Sequence, residues 1–214
     1  MTWTLNNIHI PYYICDYTDH LSLQFLSRIF QDAADNHTEH FHMGFTDLMA
    51  NGKAWVLSRV YYKVHNMPNA MDRVNVTTWS RRADRLCAMR DTEMRDLQDN
   101  LLVASTSMWV IMDMQKRTVV RMLDDIVNFD HERRLATDRD VLQKLTLPTM
   151  DDRCVVSHFK ATHANIDHNL HVNNTDYIRW IVDAIKFDLN DTERIDTLEI
   201  DYFHETRLGD DVWV

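Results

Sequence analysis

Glycine is almost missing from this chain: 3 of 214 residues, at Gly44, Gly52 and Gly209. Loops that cradle phosphates on bare backbone amides, of the GxGxxG or GxxxxGK[ST] type, need several glycines close together, so nucleotide enzymes built on them are excluded. The 3 cysteines, Cys15, Cys87 and Cys154, are odd in number and far apart, with no CxxC pair. They read as buried free thiols of a reducing compartment, which points to the cytoplasm rather than to a disulfide framework. No apolar run reaches the roughly 18 residues of a membrane span, so none is expected. The opening Met-Thr-Trp-Thr-Leu-Asn-Asn lacks the basic and apolar regions of a secretory signal, and none is expected there either. Positive charge is scarce too, with 23 Lys and Arg against 33 Asp and Glu and a net charge of −10. A nucleic-acid partner would need a basic field, and this chain presents the opposite.

What is present is the composition of an ordinary globular protein, 45% hydrophobic and 26% charged, long enough for one large domain or two small ones. The acidity is uneven. Residues 1–150 hold 17 basic against 19 acidic side chains, whereas residues 151–214 hold 6 against 14. Within the balanced part lie three basic clusters: Arg81, Arg82 and Arg85; Lys116 and Arg117; Arg133 and Arg134. Such clusters are either solvated turns or a docking patch.

The pattern of the chain predicts a strand over 3–14 and then a change of period. Leu23, Leu26, Ile29, Phe30 and Ala33 share one helical face, Asp19 or Ser22 can cap the start, and the helical region extends to Gly52 with a break near Gly44. Four alternating segments follow at 54–65, 73–82, 87–96 and 101–114, joined by links too short for crossover helices, so the sheet is expected to be antiparallel. A strand, a long helix and a run of antiparallel strands make an α+β protein. Residues 131–150 read as a linker, with a helix expected near 139–144. Then the order restarts, with a strand at 153–162, a loop at 167–171, a helix at 173–189 and strands at 197–206 and 212–214, an internal repeat. The second round is short, which predicts further strands beyond Val214.

The densest polar cluster, Asn165-Ile166-Asp167-His168-Asn169-Leu170-His171-Val172-Asn173-Asn174, precedes that second helix. Asp167, Asn169 and His171 alternate, so an extended segment would aim them the same way. Asn173 can cap the helix and leave its first N–H groups facing an anion. A carboxylate, an amide, an imidazole and helix N-terminal donors suit acyl transfer, although an Asn/Asp-rich capping loop accounts for the same residues. Histidine clusters at His37, His40 and His42 and at His163, His168 and His171 lack HExxH spacing and a Cys pair, so no metal and no other cofactor is expected.

The stretch Asp167 to Trp180, Asp-x-Asn-x-His-Val-Asn-Asn-x-x-Tyr-Ile-x-Trp, resembles the signature of acyl-acyl-carrier-protein (acyl-ACP) thioesterases. Trp55-Val56-Leu57-Ser58-Arg59 and Leu198-Glu199-Ile200-Asp201-Tyr202-Phe203-His204-Glu205 resemble two further segments of that family, in the same order. The resemblance implies two tandem hotdog domains, 1–130 and a partial 151–214, each a long helix wrapped by an antiparallel sheet. It also implies hydrolysis of a fatty acyl thioester carried on acyl carrier protein, with acyl-CoA as the alternative carrier and a non-catalytic acyl-binding protein as the non-enzyme alternative. Carried over by residue, the functional groups fall on Asp167, Asn169, His171 and Glu205. Thr206 stands where the family often has Cys, so carboxylate and imidazole chemistry is expected rather than a thiol nucleophile. The acyl chain is expected along the helical region that runs from Leu23 to Leu48. Carrier docking is expected on Arg81, Arg82, Arg85, Lys116, Arg117, Arg133 and Arg134. A homodimer is compatible with all of this.

Overall fold

A computed structural model describes residues 1–146, 157–167, 169–185 and 194–214. Strand β1 (Thr2–His9) leads through a short 3₁₀ turn at Tyr12–Ile14 to helix α1 (Leu23–His40) and the single-turn helix α2 (Phe45–Met49). Four long strands follow: β2 (Lys53–Val64), β3 (Arg73–Ala83), β4 (Ala88–Asp96) and β5 (Leu101–Asp113). The short elements β6 (Thr118–Val120) and α3 (Asp124–Val127) close this part. Beyond it come β7 (His158–Lys160), α4 (Asn174–Ala184), β8 (Thr197–Asp201) and β9 (Asp211–Trp213).

The main sheet runs β1-β3-β4-β5-β2-β8, with β6 added beside β5, and every pairing is antiparallel. Helix α1 starts where the sequence places a cap: Ser22 Oγ accepts from the Phe25 N–H at 3.4 Å. Its apolar face, Leu23, Leu26, Phe30 and Ala33, joins Val60, Val74, Val76, Met94 and Val103 of the strands in one core. The helix stops at His40, Gly44 opens α2, and Gly52 takes the left-handed conformation, φ +63°, that turns the chain into β2. A long helix laid against an antiparallel sheet is the hotdog arrangement, and the chain is α+β as expected.

Strand β8 pairs with β2, Arg59 opposite Asp201 and Lys63 opposite Thr197, so the second half extends the first half's sheet. Helix α4 packs beside α1 through Ile178, fully buried, with Gln24 Nε2 donating to Asp176 Oδ1 at 2.9 Å and Arg28 Nε to Thr175 Oγ1 at 3.1 Å.

Several expectations need correction. The first strand ends at His9, not at residue 14, because Pro11 starts a 3₁₀ turn that leaves Tyr12 and Tyr13 exposed. No helix forms at 139–144. Side chains claim the carbonyls that a helix would use: Arg81 donates to the Arg139 and Asp140 carbonyls, and Arg59 Nη1 to that of Leu142 at 2.7 Å. Residues 131–146 instead lie as a strap across the outer face of the sheet, with Leu142 buried against Tyr61 and Met89. This explains why β5, whose sequence alternates, is buried on both faces from Leu102 to Ser107. Strand β8 ends at Asp201 rather than at residue 206, because the chain leaves the sheet at Tyr202 to enter the site described next. The short elements β6 and α3 carry no periodicity that would predict them. Of the expected linker, residues 147–150 lie outside the described residues. So do 153–156 of the strand expected at 153–162, and 186–189 of the helix expected at 173–189.

Candidate active site

The polar cluster folds on itself. Asn165 Oδ1 accepts from Thr162 N and Oγ1, both at 2.8 Å, which anchors the entry. Ile166 then bridges Val172, and the Asp167 N–H donates to the His171 carbonyl at 2.8 Å. Asp167 Oδ1 accepts from the Asn169 N–H at 2.8 Å, and Leu170 makes the reversal at φ +63°. One more correction follows: Asp167, Asn169 and His171 sit on a tight turn, not on an extended segment. The turn still brings all three to one cleft.

Glu205 arrives from the other side. The Val172 N–H donates to the Thr206 carbonyl at 2.8 Å, locking 202–206 beside the turn. Asp167, Asn169, His171 and Glu205 all line a cleft of about 150 Å³ together with Gln31, Trp55, Trp109, Tyr177 and Tyr202. His171 Nε2 lies 3.1 Å from Glu205 Oε2. Thr206 is not among the residues that line the cleft, and its side chain lies beside that of Tyr177.

A third group enters from an unexpected place. Asp113 accepts from the Gln115 and Lys116 N–H groups at 3.0 and 2.8 Å, forming the turn after β5, and Arg117 takes φ +56° there. The Arg117 guanidinium hydrogen-bonds Glu205 and reaches His171 Nε2 at 2.9 Å. A guanidinium only donates, so Nε2 accepts and the neutral imidazole carries its proton on Nδ1, toward the Asn169 backbone. Burial lowers the His171 pKa below its ordinary 6.5, with Arg117 next in size and Asp167 opposing. His171 therefore rests neutral at pH 7.

The donors expected at the start of α4 are partly used. Asn173 Oδ1 takes the Thr175 N–H at 3.0 Å and its carbonyl takes the Asp176 N–H at 2.9 Å. Asn174, the first helical residue, lines the cleft.

Gln31, Leu57, Trp109 and Asn174 border both this cleft and a narrow space beneath α1 that Phe30, Ala34, Tyr62 and Arg90 also line. Ala34, Arg90 and Trp109 border in turn both that space and a chamber of about 50 Å³ that His37, Phe41, Met89, Phe129 and Trp55 also line. Residues of the helical stretch 30–41 thus line all three spaces. These residues fall within the region expected to hold the acyl chain, whose two ends pack elsewhere. Leu23 is packed into the main core, one helical turn and more before that stretch begins. Leu48, 2% exposed, is packed with Ala88, Ile111, Met122 and Ile126 in a separate cluster. Gly44 causes the difference at that end: it breaks the helix, and α2 then aims Leu48 at the sheet rather than along the line of α1.

The basic clusters do not stay together. Arg81 is buried, 3% exposed, and tied to Asp91, so it presents no charge to a partner. Arg117 is committed to the site. Arg134 stacks 3.9 Å from the centre of the Trp79 ring and binds Glu93 at 2.6 Å. Arg82, Arg85, Lys116 and Arg133 are exposed. Among the histidines, His40 stacks on Trp3 at 4.9 Å, His168 lies outside the described residues, and no three His, Cys, Asp or Glu side chains converge as a metal site among the described residues. Nor is any described helix long and apolar enough to cross a membrane.

Two family models match: acyl-ACP thioesterase N-terminal domain over residues 3–129, and acyl-ACP thioesterase C-terminal domain over residues 149–214. Oleoyl-acyl carrier protein thioesterase 2, chloroplastic, of Arabidopsis thaliana is 27% identical over 204 residues, which cover 88% of this chain and 56% of that protein. The chain thus spans little more than half the length of this curated relative. An acyl-ACP thioesterase structure from Bacteroides thetaiotaomicron superposes with a TM-score of 0.85 at 23% identity, covering 100% of this chain and 84% of that one. The 12:0-ACP thioesterase of Umbellularia californica gives 0.83 at 20% identity, covering 96% and 78%.

Proposed function

This chain belongs to the acyl-ACP thioesterase family, and on that premise we propose that it hydrolyses the thioester of an acyl-ACP to a free fatty acid and the carrier thiol. The observation that carries this reading is the His171–Glu205 pair, 3.1 Å apart, in a cleft that shares its wall with a mostly apolar space under α1. With the Arg117 guanidinium turned wholly onto Glu205, the freed Nε2 of neutral His171 removes a proton from water as the water oxygen bonds to the acyl carbon. Glu205 stabilises the imidazolium so formed, and Arg117 keeps the carboxylate in place. Asn169 and the N–H of Asn174 stabilise the oxyanion. When the C–S bond breaks, His171 returns its proton to the departing thiolate. Asp167 shapes the turn rather than attacking, since its carboxylate already accepts the Asn169 N–H. The acyl chain lies along α1 from Gln31 toward Phe41.

An acidic carrier meets a chain of net charge −10, so attraction must be local, within about 8 Å at physiological salt. Arg82, Arg85, Lys116 and Arg133 are the remaining docking candidates. The test offers one acyl chain on ACP and on CoA. Reversing Arg82 and Arg85 together should raise KM for acyl-ACP severalfold at low salt and leave the CoA ester unchanged. If CoA esters are the better substrate and no charge reversal alters ACP kinetics, the carrier assignment is wrong.

Thr206→Ala should retain most turnover, because the side chain lies beside Tyr177 and does not line the cleft. The cost is about 1 kcal/mol of stability, the worth of one hydrogen bond to Tyr177. A hundredfold loss of kcat in a folded Thr206→Ala protein would put the side chain back into the reaction.

A further inference from the structure

The innermost chamber is walled mostly by apolar groups, yet it ends on two buried polar side chains. Arg90 on β4 faces His37 on α1, with Nη1 2.9 Å from His37 Nδ1 and 3.1 Å from Thr78 Oγ1. His37 is 1% exposed and Arg90 9%. Because a guanidinium cannot accept, His37 Nδ1 must, and the ring proton sits on Nε2. That Nε2 is buried and has no hydrogen-bond partner among the described residues. Burial, with Arg90 second, lowers the His37 pKa to about 3, so the imidazole is a neutral, single-proton donor at any working pH.

The other hydroxyls of the chamber are engaged. Thr38 donates to the Ala34 carbonyl at 3.1 Å, and Ser80 pairs with His131 Nδ1 at 2.9 Å. Phe41 and Phe129 stand edge-on to the His37 ring and bring no acceptor oxygen. Burial lowers the Arg90 pKa to about 10, and Asp35 opposes that shift. The end of the chamber therefore holds an N–H with no hydrogen-bond partner among the described residues. Burying such a donor costs more than one ordinary hydrogen bond returns, unless a ligand accepts from it.

Trp55 and Trp109 line both this chamber and the catalytic cleft, which makes the chamber the next space along for an acyl chain that passes them. Trp109 lies opposite Ala88, and Ser107 opposite Arg90. Arg90 thus sits two residues, roughly 7 Å, further along the strands from Met112 and the cleft. A chain that extends past Trp109 brings its far end to His37.

Resting on the thioesterase reading above, we propose that this chamber is an acceptor site: the protein takes acyl chains that carry a neutral oxygen, a hydroxyl or keto group, at or near the end remote from the thioester. A terminal carboxylate fits less well, because it would give up the hydration of a full charge in exchange for a neutral imidazole N–H. A plain methyl end would leave the imidazole N–H unpaired.

Calorimetric titration of the whole protein with free fatty acids and their ω-hydroxy and ω-carboxy counterparts, over a ladder of chain lengths, tests this without requiring turnover. The expected result is that, at the length that reaches His37, the ω-hydroxy acid binds about fivefold to tenfold more tightly than the plain acid, and the ω-carboxy acid more weakly than the ω-hydroxy acid. His37→Leu should bring the hydroxy-to-plain ratio to about one. His37→Gln, whose amide accepts from Arg90 and still donates, should keep part of the preference. If neither variant folds, the wild-type ratio decides alone. Plain chains that bind as tightly as hydroxylated ones at every length would overturn the acceptor site and leave the thioesterase reading intact. Binding of no acyl chain at all would overturn both. A preference that survives in His37→Leu would overturn the assignment to this chamber.

Discussion

Replacing His171 with Ala is expected to lower kcat by about a hundredfold or more, the usual worth of a positioned general base, with much less effect on KM. Glu205→Gln should lose a similar factor, because the imidazolium formed in the reaction then lacks its counter-charge. The fold should survive both changes, since His171 and Glu205 sit at the cleft and outside the hydrophobic cores. The pH profile adds an independent readout. Burial first, and then Arg117, depress the His171 pKa below 6.5, and activity requires the neutral ring. The acid limb of kcat/KM should therefore fall below pH 6.5, with rate lost as pH drops through the depressed value. Arg117→Met removes one repelling cation and frees Glu205 to attract the proton, so the limb should move upward. Steady-state rates from about pH 4 to 9 measure both effects. Near-normal turnover in His171→Ala, or an acid limb that stays fixed in Arg117→Met, would remove those residues from the mechanism.

Arg81→Met should cost about 3–5 kcal/mol, the usual consequence of taking one partner from a buried ion pair. Arg81 and Asp91 are 3% and 0% exposed, with Nη1 and Oδ2 3.8 Å apart. Asp91 Oδ2 also holds the Ala136 N–H at 2.8 Å, and Arg81 holds the Arg139 and Asp140 carbonyls. Losing the arginine thus strands a carboxylate and loosens the strap at once. At roughly 2–4 °C per kcal/mol for a chain of this size, Tm should fall by about 10 °C at pH 7. Burial already raises the Asp91 pKa, and without Arg81 it must rise further. A carboxyl whose folded pKa is raised binds its proton more readily folded than unfolded. The deficit should therefore shrink as pH falls through that raised value toward the unfolded one. Arg81→Met with Asp91→Leu should recover much of the loss. Equal Tm for wild type and Arg81→Met at pH 7 would show that the pair holds nothing together.

The four long strands and α1 are legible in the sequence because each buries one face in a single period, and period is what a sequence displays. Leu23, Leu26, Phe30 and Ala33 are such a stripe, and Ser22 marks its start. Period does not say which part of a helical region borders a cavity, so residues 30–41 line the inner spaces while Leu23 and Leu48, equally apolar, fill cores on either side. The strap is not legible. Its order comes from side chains 50 or more residues away, such as Arg81 on Arg139 and Trp79 on Arg134, and no local pattern announces those. The same holds within the site. Asp167, Asn169 and His171 are neighbours in sequence and stand out together, whereas Glu205 comes from the family resemblance alone. Arg117 reads as a surface charge because it lies in a basic pair on a turn. Only the hairpin after β5 carries it to Glu205, 88 residues onward.

The pairing of β8 with β2 has a consequence for the chain while it is being made. Strand β2 finds β5 within about 50 residues, but its other edge waits until Asp201 has been synthesised. At roughly 5–20 residues per second, that edge stands open for something like 7–30 seconds on the ribosome. An open edge is a template for any other nascent copy. Arg59 and Lys63, both among the β2 residues that later face β8, put two positive charges on that edge throughout the wait. Neighbouring nascent chains would carry the same charges, so their repulsion guards the edge until its own β8 arrives.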